Sequence, residues 1–285
     1  MYCLFLTVVL PLFEEGNLLL QKEEPVIHLM HSILTKQLRN LFVRFIKPEV
    51  ITKNKDRLHS IDMMSQDNQV ADEKLFIGNS AREYLSKNME RIQLNKFYDS
   101  VRRFYVTSSR YMCVKFPYDN ELLIKAKVLQ ISTRQEADFD DLLYFVNRYP
   151  CLLKGEEDLR DQLQGQFLNY QVDDAIVWAE GDRIDTAWSV IAEMRNCNRQ
   201  LQYELLARVM LGIATTFHSN ADCERLFSYV TKNKTEFRSK LSTRTLSCLV
   251  TRKVRMKAMG TPCYKAVPSK DVLRKAKSAC YNKLM

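Results

Sequence analysis

Residues 24–46 read EPVIHLMHSILTKQLRNLFVRFI, and this stretch indicates the fold class of the chain. Its apolar side chains recur at intervals of three and four residues, the spacing that gathers them on one face of an α-helix. These side chains are Val26, Ile27, Met30, Ile33, Leu34, Leu38, Leu41, Phe42 and Phe45. Pro48 lacks the amide hydrogen that a continuing helix would donate, so we expect the helix to end before it. The stretch therefore predicts a long amphipathic helix.

Outward from this stretch, the same spacing predicts helices along most of the chain. One begins at Ser80, where Ser80 and Glu83 form a capping box, and continues to Phe104. Further predicted helices cover 119–131, 139–148, 156–170, 183–194 and 201–214. The period breaks in the polar residues 52–72, which we expect to form a mobile surface loop. The sequence shows no convincing strand alternation and predicts at most a few short strands, such as one near 113–116. The predicted fold is therefore mainly α with few or no strands.

The composition limits the class of protein. The chain has 285 residues, of which 46% are hydrophobic and 27% charged, the range of globular proteins. This composition excludes wholesale disorder, collagen and a coiled coil alone. Glycine and proline number only seven each, which argues against a β-sandwich with many turns.

The first 13 residues, MYCLFLTVVLPLF, are apolar but shorter than the roughly 20 residues that cross a bilayer. No basic residue precedes the apolar run and Glu14 follows it directly, unlike a signal peptide. We therefore expect the interior half of a core helix, no membrane partner, and a chain that begins inside a domain.

Motifs of familiar enzyme classes are not found in the sequence. It contains no P-loop, dinucleotide-binding glycine motif, nucleophile elbow or kinase motif. The eight cysteines form no C-x-x-C pair, so no zinc ribbon or thioredoxin-type motif is present and we expect small buried thiols. His28 and His31 lie three residues apart without a third ligand in a metal-binding pattern, so no metal site is predicted.

Positive charge is concentrated at the C-terminus. The net charge of the chain is +9, but residues 231–285 alone carry 15 Lys and Arg against two acidic residues. This segment is either a solvated basic tail or a surface for nucleic acid.

Residues 218–228, HSNADCERLFS, open a predicted helical hairpin. We expect Ser219 to cap its first helix and Leu226, Phe227 and Val230 to face the core. The second helix is predicted from Ser242 or Thr243. Its predicted buried stripe is Leu246, Leu249, Val250 and Val254.

The same region resembles the C-terminal dimerisation region of hAT-family transposases. The matching residues are Ser219-Asn220-Ala221, Glu224-Arg225-Leu226-Phe227-Ser228, Arg238, Leu241, Thr245 and Leu249, with Ile184-Asp185 and Trp188 upstream. The variant is most similar to transposon-derived host proteins of the zinc finger BED and SCAN-domain groups. Phe217 departs from the pattern, because relatives often have proline there.

The resemblance implies an RNase H-like core interrupted by an α-helical insertion, with two Asp and one Glu that hold divalent metal ions. Glu224 matches the third carboxylate of this triad. The two Asp and the zinc finger of the family are not found in the chain, which we expect to start after them. The implied organisation is an insertion-type helical region at 1–180 that is joined to the C-terminal remnant of the RNase H-like core. The dimerisation region lies at 181–257, and a basic helix or tail at 258–285.

Two functions follow as hypotheses. The first is a catalytically incomplete, transposon-derived protein that dimerises with itself or with related hAT-derived proteins, is not an enzyme, and needs no cofactor. The resemblance places it in the nucleus. Its predicted dimerisation residues are Leu226, Phe227, Leu241, Leu246, Leu249 and Val250.

One alternative is a truncated transposase, which would need Mg²⁺ or Mn²⁺ only if a complete triad is supplied. Another is a regulator that binds nucleic acid through the basic C-terminus. The candidate nucleic-acid contacts of this C-terminus are Lys232, Lys234, Arg252, Lys253, Arg255 and Lys257. A third hypothesis is that the chain is an unrelated helical scaffold.

Overall fold

The computed structural model describes residues 1–88, 91–153, 159–178, 181, 183–260, 262–265 and 267–281. These residues form a mainly helical protein, which confirms the predicted fold class at that level. The helices are α1 (Tyr2–Leu20), α2 (Ile27–Phe42), α3 (Pro48–Lys53), α4 (Asn79–Asn88), α5 (Arg91–Lys115), α6 (Glu121–Lys125), α7 (Phe139–Arg148), α8 (Leu159–Val172), α9 (Ile184–Ala192), α10 (Glu204–Ala214), α11 (Ala221–Asn233), α12 (Thr243–Ala258) and α13 (Lys270–Tyr281). Strand pairing in these ranges is limited to isolated bridges between Ile46 and Gln69 and between Arg195 and Leu201.

The chain divides into two compact units, Met1–Ser219 and Asn220–Met285. The predicted organisation places a boundary between residues 180 and 181 instead. Residues 181–219 belong to the first unit because α9 and α10 bury their apolar faces there: Trp188, Leu206 and Met210 are each fully buried.

The core of the first unit is built around α2. Leu38 and Phe42 on this helix have no exposed surface. Phe45 stacks on Tyr105 of α5 with ring centroids 5.4 Å apart, and Phe5 of α1 meets the edge of Tyr105 at 5.6 Å. Aromatic pairs of this kind each contribute about 0.5–1.5 kcal/mol beyond the area that they bury. The cluster therefore joins α1, α5 and the end of α2.

Helix α1 is longer than the sequence pattern indicates. It continues past Phe13 to Leu20, and an 18-residue window has a mean hydropathy of 1.7, so it is long and apolar enough to cross a membrane. The core helix of a soluble protein passes the same test. In the structure Phe5, Val9 and Gly16 of α1 are buried. The prediction that this segment is too short to span a bilayer is therefore wrong, because the helix has 19 residues, seven of them beyond Phe13.

Trp188 anchors the later helices of the first unit. Its indole Nε1 donates a hydrogen bond to the carbonyl oxygen of Leu129 at 3.0 Å, and its ring lies 5.0 Å from that of Tyr170. Tyr203 in turn donates a hydrogen bond from its hydroxyl to Asp173 at 2.6 Å. These contacts give the buried indole N–H of Trp188 and the hydroxyl of Tyr203 hydrogen-bond partners.

Two local expectations differ from the structure. Residues 113–115 belong to α5 and Phe116 continues it, since the amide of Phe116 donates to the carbonyl of Met112 at 2.9 Å. This bond has the spacing of a helix, so the short strand considered there is wrong. In the segment 52–72, expected to be a mobile loop, Leu58, Ile61 and Met63 are buried.

The segment 52–72 is also held to α5 by Arg102. Its guanidinium donates to the carboxylate of Asp72 at 2.6 Å, to the side-chain oxygen of Gln69 at 2.9 Å and to the carbonyl of Val70 at 2.7 Å. The planar donors of arginine suit several acceptors at once.

Candidate functional site

The second unit contains the helical hairpin of α11 and α12. The N-cap of α11 is Asn220, one residue after the predicted Ser219, and Asp222 and Glu224 lie in its first turn. Acidic side chains there complement the positive end of the helix dipole. Helix α12 begins where it is predicted to begin, because the Ser242 hydroxyl accepts a hydrogen bond from the Thr245 amide at 3.2 Å.

Asn233 joins the two helices of the hairpin. Its side chain is buried, and its Nδ2 donates to the carbonyl oxygen of Tyr229 at 2.6 Å. Its Oδ1 accepts a hydrogen bond at 3.3 Å from the ammonium of Lys253, which crosses from α12. The same ammonium lies 5.9 Å from the centroid of the Tyr229 ring, within the range of a cation–π contact. Lys253 therefore has a structural role inside the hairpin.

An apolar groove of about 560 Å³ runs along one side of the hairpin. Its lining residues are Leu226 and Val230 from α11, and Thr243, Leu246, Ser247, Val250, Thr251, Val254 and Arg255 from α12. The α12 positions recur at intervals of three and four residues, so they form one continuous helix face. Leu226 is 40% exposed and Val254 41% exposed. The groove thus presents uncovered aliphatic surface, and we name it the α11–α12 groove.

The predicted dimerisation residues are only partly brought together. Leu226, Leu246 and Val250 line the α11–α12 groove, whereas Leu241, Leu249 and Phe227 do not. Phe227 is 69% exposed, so the expectation that Leu226 and Phe227 face a core is wrong. The physical reason is that a pair of helices can bury only the strip along their contact. In the described part of the second unit, the buried side chains are Asn233 and Met256.

Val230 and Val254 were not among the predicted dimerisation residues, although they line the groove. Their spacing contains the signal: Val230 lies four residues after Leu226, and Val254 four after Val250. Residues four apart on a helix share a face.

The basic candidate residues lie on different faces of the hairpin. All six are exposed: Lys232, Lys234, Arg252, Lys253, Arg255 and Lys257. On α12, Arg252 and Arg255 are three residues apart and share one face, while Lys253 and Lys257 are four apart and share another. Arg252 therefore presents its charge to solvent on a face other than that from which Lys253 reaches α11, whereas Arg255 also lines the α11–α12 groove.

Glu224 is exposed in the first turn of α11. The nearby carboxylate of Asp222 forms an ion pair with Arg225. Across the described residues, no group of three or more His, Cys, Asp and Glu side chains is placed to hold a metal ion. The donor set that two-metal chemistry needs around Glu224 is thus not supplied by that part of the chain.

His28, considered with His31 as a metal-binding pair, is buried in the first unit. Burial lowers its pKa from 6.5 to about 4, and the nearby Glu24 opposes this only in part. The imidazole of His28 is therefore neutral at pH 7. The structure places no third ligand-type side chain with these two histidines among the residues it describes.

Comparison with protein-family models, with curated proteins and with solved structures finds no match to this chain. The resemblance to hAT transposases therefore stays a prediction from the motif residues.

Proposed function

We propose that this chain is a transposon-derived interaction protein that self-associates through its C-terminal hairpin. The observation that carries the proposal is the α11–α12 groove, which leaves Leu226, Val230, Leu246, Val250 and Val254 on an open surface. The groove lies in the region whose residues resemble the hAT dimerisation region.

The physical argument is that a helical hairpin of this size cannot bury its own apolar surface. Small units with little core are commonly stabilised by oligomerisation. In a two-fold contact the same patch meets itself, so a groove on one copy is faced by the groove of its partner. Full burial of an aliphatic side chain contributes about 1.5–3 kcal/mol, and covering these five, which are already more than half buried, would add only part of that each toward the cost of association.

We also propose that the chain has no transposase activity. Glu224 is exposed, and the described residues bring no set of carboxylates to it. No catalytic step is therefore assigned to Glu224. Association with related hAT-derived proteins and a location in the nucleus belong to the same proposal, on the strength of the motif resemblance.

The variant Val250→Asp tests the proposed surface. It places a charge in the middle of the groove, where association would leave that charge buried without a partner. We expect the dissociation constant of the dimer to rise by at least about 100-fold, which corresponds to roughly 2.7 kcal/mol. Sedimentation velocity across a concentration series measures this change.

Cys248→Asp is the matched control. Cys248 is exposed, so the expectation of a buried thiol is wrong there, and it lies on the same helix without lining the groove. The control variant introduces the same charge and is expected to leave the dimer intact. Circular dichroism of both variants checks that their helix content is unchanged. An undiminished dimer in Val250→Asp, or equal loss in both variants, would reject this surface.

A second candidate function is binding to nucleic acid by the C-terminal unit. It is favoured by the exposure of Lys232, Lys234, Arg252 and Arg255 in a segment of strong positive charge. Such binding would be weak, tolerant of sequence and steeply dependent on salt.

A further inference from the structure

The turn between α11 and α12, residues 234–242, exposes an aromatic ring. Phe237 is 101% exposed, the value of a side chain that no neighbour covers. It lies in a single 3-10 turn, Glu236–Arg238, which is closed by a hydrogen bond from the Arg238 amide to the Thr235 carbonyl at 2.9 Å. A single apolar side chain at the surface is ordinary. What distinguishes Phe237 is the charge around it.

Positive charge surrounds Phe237 along the chain. Residues 232–244 contain five Lys and Arg against one acidic residue, Glu236. The five are all exposed, and none forms an ion pair with a described residue: Lys232, Lys234, Arg238, Lys240 and Arg244. Lys234 and Lys240 are each three residues from Phe237, so their Cα atoms lie within about 11 Å of its Cα atom. The ring is therefore an apolar surface set among unpaired cations.

The self-association proposed above gives this ring no role, because Phe237 does not line the α11–α12 groove. The second unit has one other phenylalanine, Phe227 on α11, which is 69% exposed. Its neighbours three and four residues away along the helix include Glu224 and Thr231 but no cation. The two exposed rings thus differ in the charge near them.

Single-stranded nucleic acid carries both groups that such a surface binds. Its unpaired bases present flat faces that stack on aromatic side chains, and its phosphates attract lysine and arginine. In a duplex the bases already stack on one another, so a duplex uses the cations but not the ring. An exposed ring among cations therefore fits a single strand better than a duplex.

We propose that Phe237 stacks on an unpaired base of single-stranded nucleic acid, and that the cations on either side of the ring hold the phosphates of the same strand. This inference rests on the second candidate function, the binding of nucleic acid by the C-terminal unit, and specifies the form of nucleic acid that is bound. Any of the bases suffices, because each has a face on which the ring stacks.

Fluorescence anisotropy of the full chain with two labelled probes tests the proposal. One probe is an oligothymidylate of about 15 nucleotides, within the site sizes of single-strand binding proteins, and the other is a duplex of the same length. Phe237→Leu removes the ring but keeps an apolar side chain, whereas Phe237→Tyr keeps a ring. Phe227→Leu is the matched control, because it makes the same change at an exposed ring without neighbouring cations. Circular dichroism checks that the helix content of each variant is unchanged.

We expect Phe237→Leu to weaken binding of the oligothymidylate at least about fivefold, the lower end of what one stacked base contributes. Its affinity for the duplex and its salt dependence stay unchanged, since stacking releases no counterions. Phe237→Tyr and Phe227→Leu bind both probes as the wild type does. Lys240→Gln makes the slope of log K against log salt concentration for the oligothymidylate less negative by about 0.7, the value for one phosphate of a single strand.

Several results would overturn the inference. Equal affinity of Phe237→Leu and the wild type for the oligothymidylate rejects the stacking, while binding of nucleic acid stands. An equal loss in Phe227→Leu, or an equal loss for the duplex, shows that the effect does not come from a base stacked on Phe237. An unchanged salt slope in Lys240→Gln rejects the phosphate contact. A wild-type chain that binds neither probe at low salt rejects the second candidate function, and this inference with it.

Discussion

The ammonium of Lys253 on α12 donates a hydrogen bond to the buried side-chain oxygen of Asn233 on α11 at 3.3 Å. This contact changes the interpretation of Lys253, which belongs to a basic run and was predicted to contact nucleic acid. Its charge also lies over the Tyr229 ring. Lys253 is therefore a residue that holds the hairpin together, and a charge reversal there would alter folding as well as binding.

Lys253→Ala is expected to loosen the hairpin. It leaves the Asn233 oxygen without its donor, at a cost of about 1 kcal/mol. Hydrogen exchange of peptides from α11 and α12 should become about fivefold faster, since this is the factor that corresponds to 1 kcal/mol. Arg252→Ala is the control, because Arg252 is exposed on another face of α12. Equal exchange in the two variants would contradict the role of Lys253.

Trp188→Phe is expected to destabilise the first unit by about 1–2 kcal/mol. The substitution keeps an aromatic ring but removes the Nε1 donor, so the carbonyl of Leu129 is left without this bond. Urea unfolding monitored by circular dichroism measures the change in free energy. Val190→Ala, at an exposed position on the same helix, should change the free energy of unfolding by less than about 0.5 kcal/mol. A Trp188→Phe protein as stable as the wild type would refute this assignment.

The buried imidazole of His28 predicts a dependence of stability on pH. Its pKa is about 4 in the folded chain and 6.5 as the ordinary value, so the unfolded chain binds the extra proton between these limits. Stability is therefore expected to fall as the pH decreases from about 6.5 to about 4, by about 3 kcal/mol in total.

His28→Leu should remove this part of the pH dependence, whereas His31→Leu on the same helix should retain it. Urea midpoints collected across this pH range provide the measurement. A midpoint that depends on pH equally in His28→Leu and in the wild type would show that His28 is not the group responsible.

For the second candidate function, Arg252→Glu is the informative charge reversal. If Arg252 contacts a phosphate, the slope of log K against log salt concentration for a DNA duplex becomes less negative by about 0.9. The affinity then falls by the same factor for unrelated sequences. Lys36→Glu is the control, since it changes the net charge equally from an exposed site on α2. Identical slopes for the two variants would show that the basic segment affects DNA binding only through the net charge of the protein.

Helices whose boundaries are set locally could be predicted from the sequence. Helix α7 has the predicted bounds because the Asp138 side chain accepts a hydrogen bond from the Asp140 amide at 3.0 Å and Pro150 follows its end. The start of α12 depends in the same way on Ser242. Such signals lie within a few residues of the position that they determine.

The exposure of the groove and the contact of Lys253 could not be predicted in this way. Periodicity shows that Leu246 and Val250 share an apolar face, but not whether another element covers it. Likewise, a basic residue on α12 carries no sign that Asn233, 20 positions earlier, lies within reach. Both features depend on the packing of α11 against α12.

Sedimentation velocity of the unmodified full chain tests the central claim most directly. The account predicts a reversible dimer at tens of micromolar, with a mass that approaches that of the monomer on dilution. A single monomeric species over the whole concentration range would contradict self-association through the α11–α12 groove.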